Sequence, residues 1–177
     1  MRSHLIAGTL ALVTGACSSD APVLLDAAPS VDAPRLCLLP GEYGALGNQI
    51  GMPNVTTANS LTIVLDPGPP KDDLFFKLNA GQGVFAGGAL TTGTFSIAGA
   101  DANLNTCGLC TTILADIDPS LGPAKFYTTS AGMITLTSTN PIAGSAKDLH
   151  FVEINLGTGA AIPGGCTATI ASISFGT

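Results

Sequence analysis

Aromatic and charged side chains are scarce in this chain of 177 residues. Tryptophan is absent, tyrosine occurs twice, and charged residues make up only 10% of the sequence, against roughly 25% in an average soluble domain. Helix surfaces are normally filled with Glu, Lys, Arg and Gln, so the composition disfavours a helical fold. It also disfavours a sugar-binding platform built on Trp or Tyr rings.

Basic residues are rarer than acidic ones. Six Lys and Arg face twelve Asp and Glu, which gives a formal net charge of −6. Nucleic-acid binding needs a basic surface that neutralises phosphates, and adsorption to an anionic membrane needs a polybasic patch. The composition therefore argues against nucleic acid as a partner, and any association with a membrane has to come from a covalent lipid.

The first sixteen residues have the pattern of an export signal. Arg2 precedes an apolar run of about nine residues, Leu5 to Val13, which is too short to span a bilayer as a helix. The following Thr14-Gly15-Ala16-Cys17 resembles the lipobox of bacterial lipoproteins, in which the cysteine thiol is acylated. The resemblance implies a lipoprotein signal peptide over residues 1–16 and a lipid anchor, such as palmitate, at Cys17.

The segment after Cys17 favours the lipid. Residues 17–36 are rich in Ala, Pro, Asp and Ser, and such a sequence forms an extended, solvated chain rather than a helix. We therefore predict a disordered tether between the lipid and a folded domain. Ser18 follows the cysteine, which by the same resemblance implies the outer membrane. Thr14 stands where lipoboxes prefer Leu, so ordinary cleavage after Ala16 with a free Cys17 is the alternative.

Residues 37–177 have the pattern of short β-strands. Runs rich in Val, Ile, Thr and Phe alternate with Gly, Pro, Asn and Asp at intervals of roughly 8–12 residues, as in sandwiches and barrels. The predicted strands cover residues 60–65, 74–78, 83–90, 93–97, 111–117, 124–129, 133–139, 145–156 and 166–175. This pattern predicts an all-β domain, an antiparallel β-sandwich, with a small β-barrel as the alternative.

Local signals refine the prediction at three places. Thr91-Thr92 separates two of the predicted strands, and Ser130-Ala131-Gly132 separates two others, so each is expected to be the turn of a hairpin. In the last strand, Ile170 and Ile173 are three residues apart. Strand side chains alternate between faces, so both isoleucines lie on one face only if a β-bulge inserts an extra residue.

The C-terminal part of the chain carries a series of short motifs. In order they are Asn103-Leu104-Asn105-Thr106-Cys107-Gly108-Leu109-Cys110, Lys125-Phe126-Tyr127, Ser130-Ala131-Gly132, His150-Phe151-Val152-Glu153-Ile154 and Pro163-Gly164-Gly165-Cys166. Over about residues 80–177 this series resembles a group of uncharacterised surface lipoproteins from predatory and soil-dwelling proteobacteria. The resemblance implies the surface-lipoprotein class, and the group has no activity that could be carried over.

Four cysteines remain when Cys17 is acylated, and exported domains form disulfides. Cys107 and Cys110 are close enough to pair locally, whereas Cys37 and Cys166 lie at the beginning and the end of the domain. We predict these two disulfides, with two crossed pairings as alternatives. A redox Cys-x-x-Cys needs a helix after its first cysteine, and a zinc site needs a second ligand pair; the sequence indicates neither.

Several acidic and amide side chains form a weak candidate for a Ca²⁺ site. Oxygen ligands at alternate positions are typical of the start of a calcium loop, and the candidates are Asp101, Asn103, Asn105, Asp116 and Asp118. Thr106 and Thr112 stand where such a loop has its turn glycine and bidentate glutamate. A turn rich in Asn and Asp is therefore the alternative.

No set of residues predicts a catalytic site. His150 is the one histidine after the signal segment, and it lies in an apolar strand beside Phe151. Glu153 is three residues away and therefore on the opposite face of a regular strand, and the chain has no Gly-x-Ser-x-Gly motif. We predict a lipid-anchored structural or binding module whose partner is an envelope protein or an extracellular ligand. An extracytoplasmic hydrolase is the alternative.

Overall fold

The structure, a computed structural model, describes Cys37 and residues 42–48, 55–57 and 59–176. The predicted signal peptide (residues 1–16), the tether (residues 17–36) and the lipidation of Cys17 lie outside the described residues. They stay predictions.

The described part of the chain folds into strands and two single-turn 3₁₀ helices. The strands are β1 (Ala45–Asn48), β2 (Val55–Thr57), β3 (Ser60–Asp66), β4 (Lys71–Leu78), β5 (Gly93–Ile97), β6 (Leu109–Asp118), β7 (Gly122–Thr139), β8 (Ile142–Ile154) and β9 (Thr167–Phe175), and the 3₁₀ helices are Gly83–Phe85 and Gly99–Ala102. The predicted all-β class is confirmed.

The nine described strands form one sheet. Its order is β1-β9-β8-β7-β6-β4-β3-β2, and β5 pairs with β7 beside this path. β1 runs parallel to β9, while all other described pairs are antiparallel. The mixed sheet curls into a half-barrel.

Contacts across the interior show how strongly the sheet curls. The rings of Phe76 on β4 and Phe175 on β9 lie 4.5 Å apart between centroids, although β6, β7 and β8 separate these strands in the sheet. Near the β1 edge, the Tyr43 hydroxyl donates a hydrogen bond to Asp72 Oδ2 at 3.1 Å. The buried core therefore lies inside the curl, and apolar side chains from strands that are distant in the sheet meet there.

The predicted strand over residues 83–90 is wrong. Gly83 and Gly88 have φ angles of +45° and +87°, which glycine adopts readily and extended strand backbone does not. A single 3₁₀ turn buries Phe85, which is 1% exposed. The hairpin predicted at residues 91–92 is therefore absent, and β5 pairs with β7 instead.

The turn predicted at residues 130–132 is also wrong, because β7 continues through it for 18 residues. The register to β8 shifts on both sides of Ala131, and Gly132 has a φ of +139°. Irregular pairing of this kind bends a strand without ending it. The glycine thus permits a bend in a long strand where the sequence pattern predicted a hairpin.

The last strand breaks the alternation of a regular strand between Ile170 and Ile173, as the sequence indicates, although its register to β8 has no shift there. Ile170 and Ile173 are 0% and 2% exposed, so both face the core. The backbone N–H groups of Ala171 and Ser172 both donate to the Gly44 carbonyl oxygen, at 2.8 and 3.4 Å. Two donors opposite one acceptor are typical of a β-bulge.

Candidate functional site

A groove lies on the face of the sheet opposite the core. Its residues come from β4, β6 and β7 and from three loops beside them; they are Phe75, Lys77, Asn79, Leu104, Cys110, Thr112, Leu114, Phe126 and Leu156. We refer to these nine residues as the outer groove. Its volume is about 320 Å³, which is within the range of small-molecule sites.

Strand alternation and register place the floor of the outer groove. Phe76 points into the core and is 0% exposed, so its neighbour Phe75 points to the other face. Phe75 is the register partner of Thr112, and Leu114 is the partner of Phe126. Directly opposed residues have Cβ atoms about 4.5–5.5 Å apart, so the apolar side chains of three strands form one continuous surface.

The rim of the outer groove carries its most accessible groups. Leu156 is 54% exposed and extends the apolar surface of the floor to the rim. Lys77 is exposed and has no ion pair among the described residues. Asn79 Nδ2 donates to the Cys107 carbonyl oxygen at 3.0 Å and contacts Cys110 Sγ at 3.1 Å. One wall of the groove is thereby tied to the Cys-x-x-Cys turn.

Both predicted disulfides are present. Cys37 pairs with Cys166 across a Cα separation of 5.6 Å, and Cys107 pairs with Cys110 across 5.2 Å. Both separations lie in the range that disulfides span without backbone movement. Cys110 is already part of strand β6, which runs on to Asp118. The cysteine pair is therefore followed by a strand and not by the helix that a thioredoxin-type site requires.

Asp101 organises the turn that carries the local disulfide. Its carboxylate is 5% exposed, and Oδ1 accepts hydrogen bonds from the N–H groups of Gly108 at 2.8 Å and Leu109 at 3.0 Å. A Cβ atom at Gly83 would collide with this carboxylate. The 3₁₀ turn and the disulfide turn are therefore packed against each other through Asp101.

The other calcium candidates are spread over the domain. Asn103 Oδ1 accepts a hydrogen bond from the Asn105 N–H group, and Asn105 Nδ2 donates to the Thr158 carbonyl oxygen. Asp116 and Asp118 lie seven and nine residues along β6 from Leu109, whose N–H group donates to Asp101, which is roughly 20–30 Å at the usual rise per strand residue. In the described part of the chain, no group of three or more His, Cys, Asp or Glu side chains is arranged to hold a metal ion.

A polar cluster lies inside the curl, near the Tyr43–Asp72 hydrogen bond. Asp72 Oδ1 also accepts from the Asp116 N–H group at 2.9 Å, and the buried Tyr127 hydroxyl has no hydrogen-bond partner among the described residues. Burial raises the pKa of Asp72, although its hydrogen bonds oppose the shift. Burial, with the charges of Glu153, Asp116 and Asp72, raises the pKa of Tyr127 to about 12. Burial and Asp72 also raise the pKa of Tyr43.

Accessibility distinguishes this cluster from the outer groove. Asp72 is 5% exposed and Tyr127 is 0% exposed, so solute cannot reach their polar atoms without local opening. A raised pKa keeps a tyrosine or a carboxyl group in its neutral form, and a neutral group costs less free energy to bury in an apolar interior than a charged one. The cluster is therefore part of the packing of the half-barrel.

His150 and Glu153 lie on opposite faces of β8, as predicted. His150 is exposed, whereas Glu153 is 7% exposed and accepts a hydrogen bond from the Cys166 N–H group at 2.8 Å. Ser130 Oγ donates to the backbone carbonyl oxygen of His150 at 3.1 Å. The structure therefore does not join these side chains into a nucleophile–base pair.

Comparison of the chain with protein-family models, with curated proteins and with solved structures finds no match in any of the three. Among the described residues there is no helix of sufficient length and apolarity to cross a membrane.

The outer groove was not predicted from the sequence, although one signal for it was present. Phe75 and Phe76 are adjacent in a strand, so one of the two rings has to face away from the core. Phe126 and Leu156 gave no such signal, because their proximity to Phe75 depends on strand order and on the path of the loop after β8.

Proposed function

We propose that this chain is a lipid-anchored extracytoplasmic binding module that uses the outer groove to recognise an envelope component or an extracellular ligand. The two disulfides carry the proposal, because stable disulfides are formed in exported proteins and are rare in the cytosol. The export-signal pattern and the lipobox resemblance point to the same compartment.

The position of the long-range disulfide supports attachment through the N-terminus. Cys37 directly follows the predicted tether, and its bond to Cys166 joins this point to the residue before β9. A force on the tether would be transmitted to the start of β9 through the disulfide. It would therefore not act on β1, an edge strand of only four residues. Such a connection suits a domain held at a membrane surface.

We propose a partly open β-barrel as the arrangement of the sheet, in preference to a β-sandwich. The continuous strand path from β1 to β2 supports it, since a sandwich divides its strands between two facing sheets. The Phe76–Phe175 contact supports it as well.

Metabolic labelling with a palmitate analogue tests the anchor. The full chain is expressed in a bacterium, and wild type is compared with Cys17→Ser and Cys37→Ser. We expect label in wild type and in Cys37→Ser, with complete loss in Cys17→Ser, because Cys17 alone follows the lipobox-like residues. Equal labelling of wild type and Cys17→Ser would contradict the proposal.

A further inference from the structure

We propose that the outer groove binds a small amphiphilic anion, with a single acyl chain along the apolar floor and a carboxylate beside Lys77. The proposal rests on the proposed binding function and adds the chemical class of the ligand. It follows from the apolar floor, the size of the groove and the charge at its rim.

The floor of the groove is suited to an acyl chain. Phe75, Leu114 and Phe126 are only partly buried, and Leu156 beside them is 54% exposed. These side chains are contiguous because β4, β6 and β7 are neighbours in the sheet. Covering such a surface with a hydrocarbon chain removes apolar area from water, and this is favourable without directional contacts.

The size of the groove indicates a small ligand and not a folded protein. Nine residues line it, and its volume is about 320 Å³. Stable protein–protein interfaces use about 20–30 residues on each side, whereas small-molecule sites begin at about 300 Å³. A single chain of hydrocarbon therefore matches the groove better than a protein surface does.

Lys77 determines the expected charge of the ligand. It is the one charged residue that lines the groove, and within the described part of the chain it has no ion pair. Lys71, six residues earlier on β4, by contrast forms an ion pair with Asp73 at 2.8 Å. The chain as a whole has a net charge of −6, so this apolar surface with an unpaired cation is a local exception that favours an anion.

Calorimetric titration with laurate, below its critical micelle concentration, tests the proposal. The protein is the full chain with Cys17→Ser, exported so that its disulfides form and carrying no lipid of its own. Lys77→Glu and Leu156→Asp alter the rim of the groove. Lys147→Glu and Leu121→Asp are matched controls, because neither residue lines the groove and Leu121 is 90% exposed. Dodecyl maltoside is the uncharged ligand with the same chain length.

We expect saturable binding of laurate, reduced about fivefold or more by Lys77→Glu and about tenfold by Leu156→Asp, with little change in the controls. Dodecyl maltoside is expected to bind at least fivefold more weakly than laurate. No laurate binding, or equal losses in the groove variants and the controls, would overturn the proposal. Equal affinity for laurate and dodecyl maltoside would overturn the claim that the groove selects an anion. These outcomes are independent of palmitate labelling at Cys17, so failure of the ligand class and failure of the anchor are distinguishable.

Discussion

Asp101 shows how one buried carboxylate can hold a turn together. It accepts two backbone N–H groups that directly follow Cys107, and in a buried turn these donors would otherwise be unsatisfied. Hydrogen bonds to a charged acceptor contribute more than neutral ones, at about 1.5–3 kcal/mol each. The side chain that the sequence suggested as a calcium ligand thus has a structural role in the Cys-x-x-Cys turn.

Replacement of this carboxylate is expected to be costly. Asp101→Ala should lower the free energy of unfolding by about 3 kcal/mol, because it leaves two buried donors without an acceptor. Asp118→Ala is the control, since Asp118 also accepts two N–H groups, from Ser120 and Leu121, but in an exposed turn; water can replace it there, and we expect a loss below about 1 kcal/mol. Urea unfolding of both variants measures the difference, and equal losses would contradict the role of burial.

The polar side chains inside the curl could not be identified from the sequence. Asp72 belongs to an Asp-Asp pair next to a turn, where solvated carboxylates are usual. It is nevertheless buried, and it accepts a hydrogen bond from Tyr43, which lies 29 residues away in sequence and approaches because the sheet curls. Tyr127 looks like an ordinary strand residue, and only the packing around it shows that its hydroxyl has no hydrogen-bond partner among the described residues.

Strand β7 shows how the sequence pattern fails at the scale of elements. The sequence predicted separate strands before and after residues 130–132, because a short segment of small residues between two strand-like runs normally indicates a turn. The chain instead continues through Gly132, because β8 pairs with β7 from Phe126 to Thr139 and supplies partners on both sides of the irregularity. Local residue types fixed the position of the bend, and the neighbouring strand decided that it was not a hairpin.

The bend makes Gly132 sensitive to substitution. A Cβ atom there would lie 2.7 Å from Leu149 Cδ2 and 2.8 Å from the Asp148 carbonyl oxygen, and the φ of +139° disfavours any other residue. We expect Gly132→Ala to destabilise the domain by about 2–3 kcal/mol. Gly87→Ala is the matched control, because nothing lies within 4 Å of its Cβ position. Thermal or urea unfolding measures both variants, and a neutral Gly132→Ala would show that the bend tolerates a side chain.

At the scale of the whole molecule, the two disulfides differ in what they constrain. Cys37–Cys166 closes a sequence separation of 129 residues, and Cys107–Cys110 closes one of 3. In the chain-entropy model, the loss of disorder in the unfolded state grows with the length of the closed loop. The long-range disulfide therefore restricts almost the entire domain, whereas the local one restricts a single turn.

Removing each disulfide separately, by replacing both of its cysteines, tests this difference. Cys37→Ala with Cys166→Ala should lower the free energy of unfolding by about 4–5 kcal/mol, and Cys107→Ala with Cys110→Ala by about 1–2 kcal/mol. Denaturant unfolding of the two double variants, each with the other disulfide intact, provides the comparison. A larger loss for the local pair would show that native packing around the turn outweighs chain entropy.

Composition and local sequence pattern were sufficient to predict the fold class, the pairing of the cysteines and the irregularity in the last strand. The scarcity of helix-forming charged residues and the short β-branched runs predicted the all-β class, because strand propensity and alternation are properties of neighbouring residues. The pairing of the cysteines was predictable because two lie three residues apart and the other two lie at opposite ends of the domain. The irregularity between Ile170 and Ile173 was predictable because two core residues three positions apart break the alternation of a strand.

Only the tertiary structure decided what depends on contacts between distant parts of the chain. Three features depend on such contacts. They are the parallel pairing of β1 with β9, the curl that brings Tyr43 to Asp72, and the assembly of Phe75, Phe126 and Leu156 into the outer groove. None of them is encoded in a window of a few residues, since each requires strand order and sheet curvature to be known first. The sequence of a strand determines which of its side chains lie on the same face, because side chains alternate along a strand. The neighbouring strands and the curvature of the sheet determine which residues that face contacts.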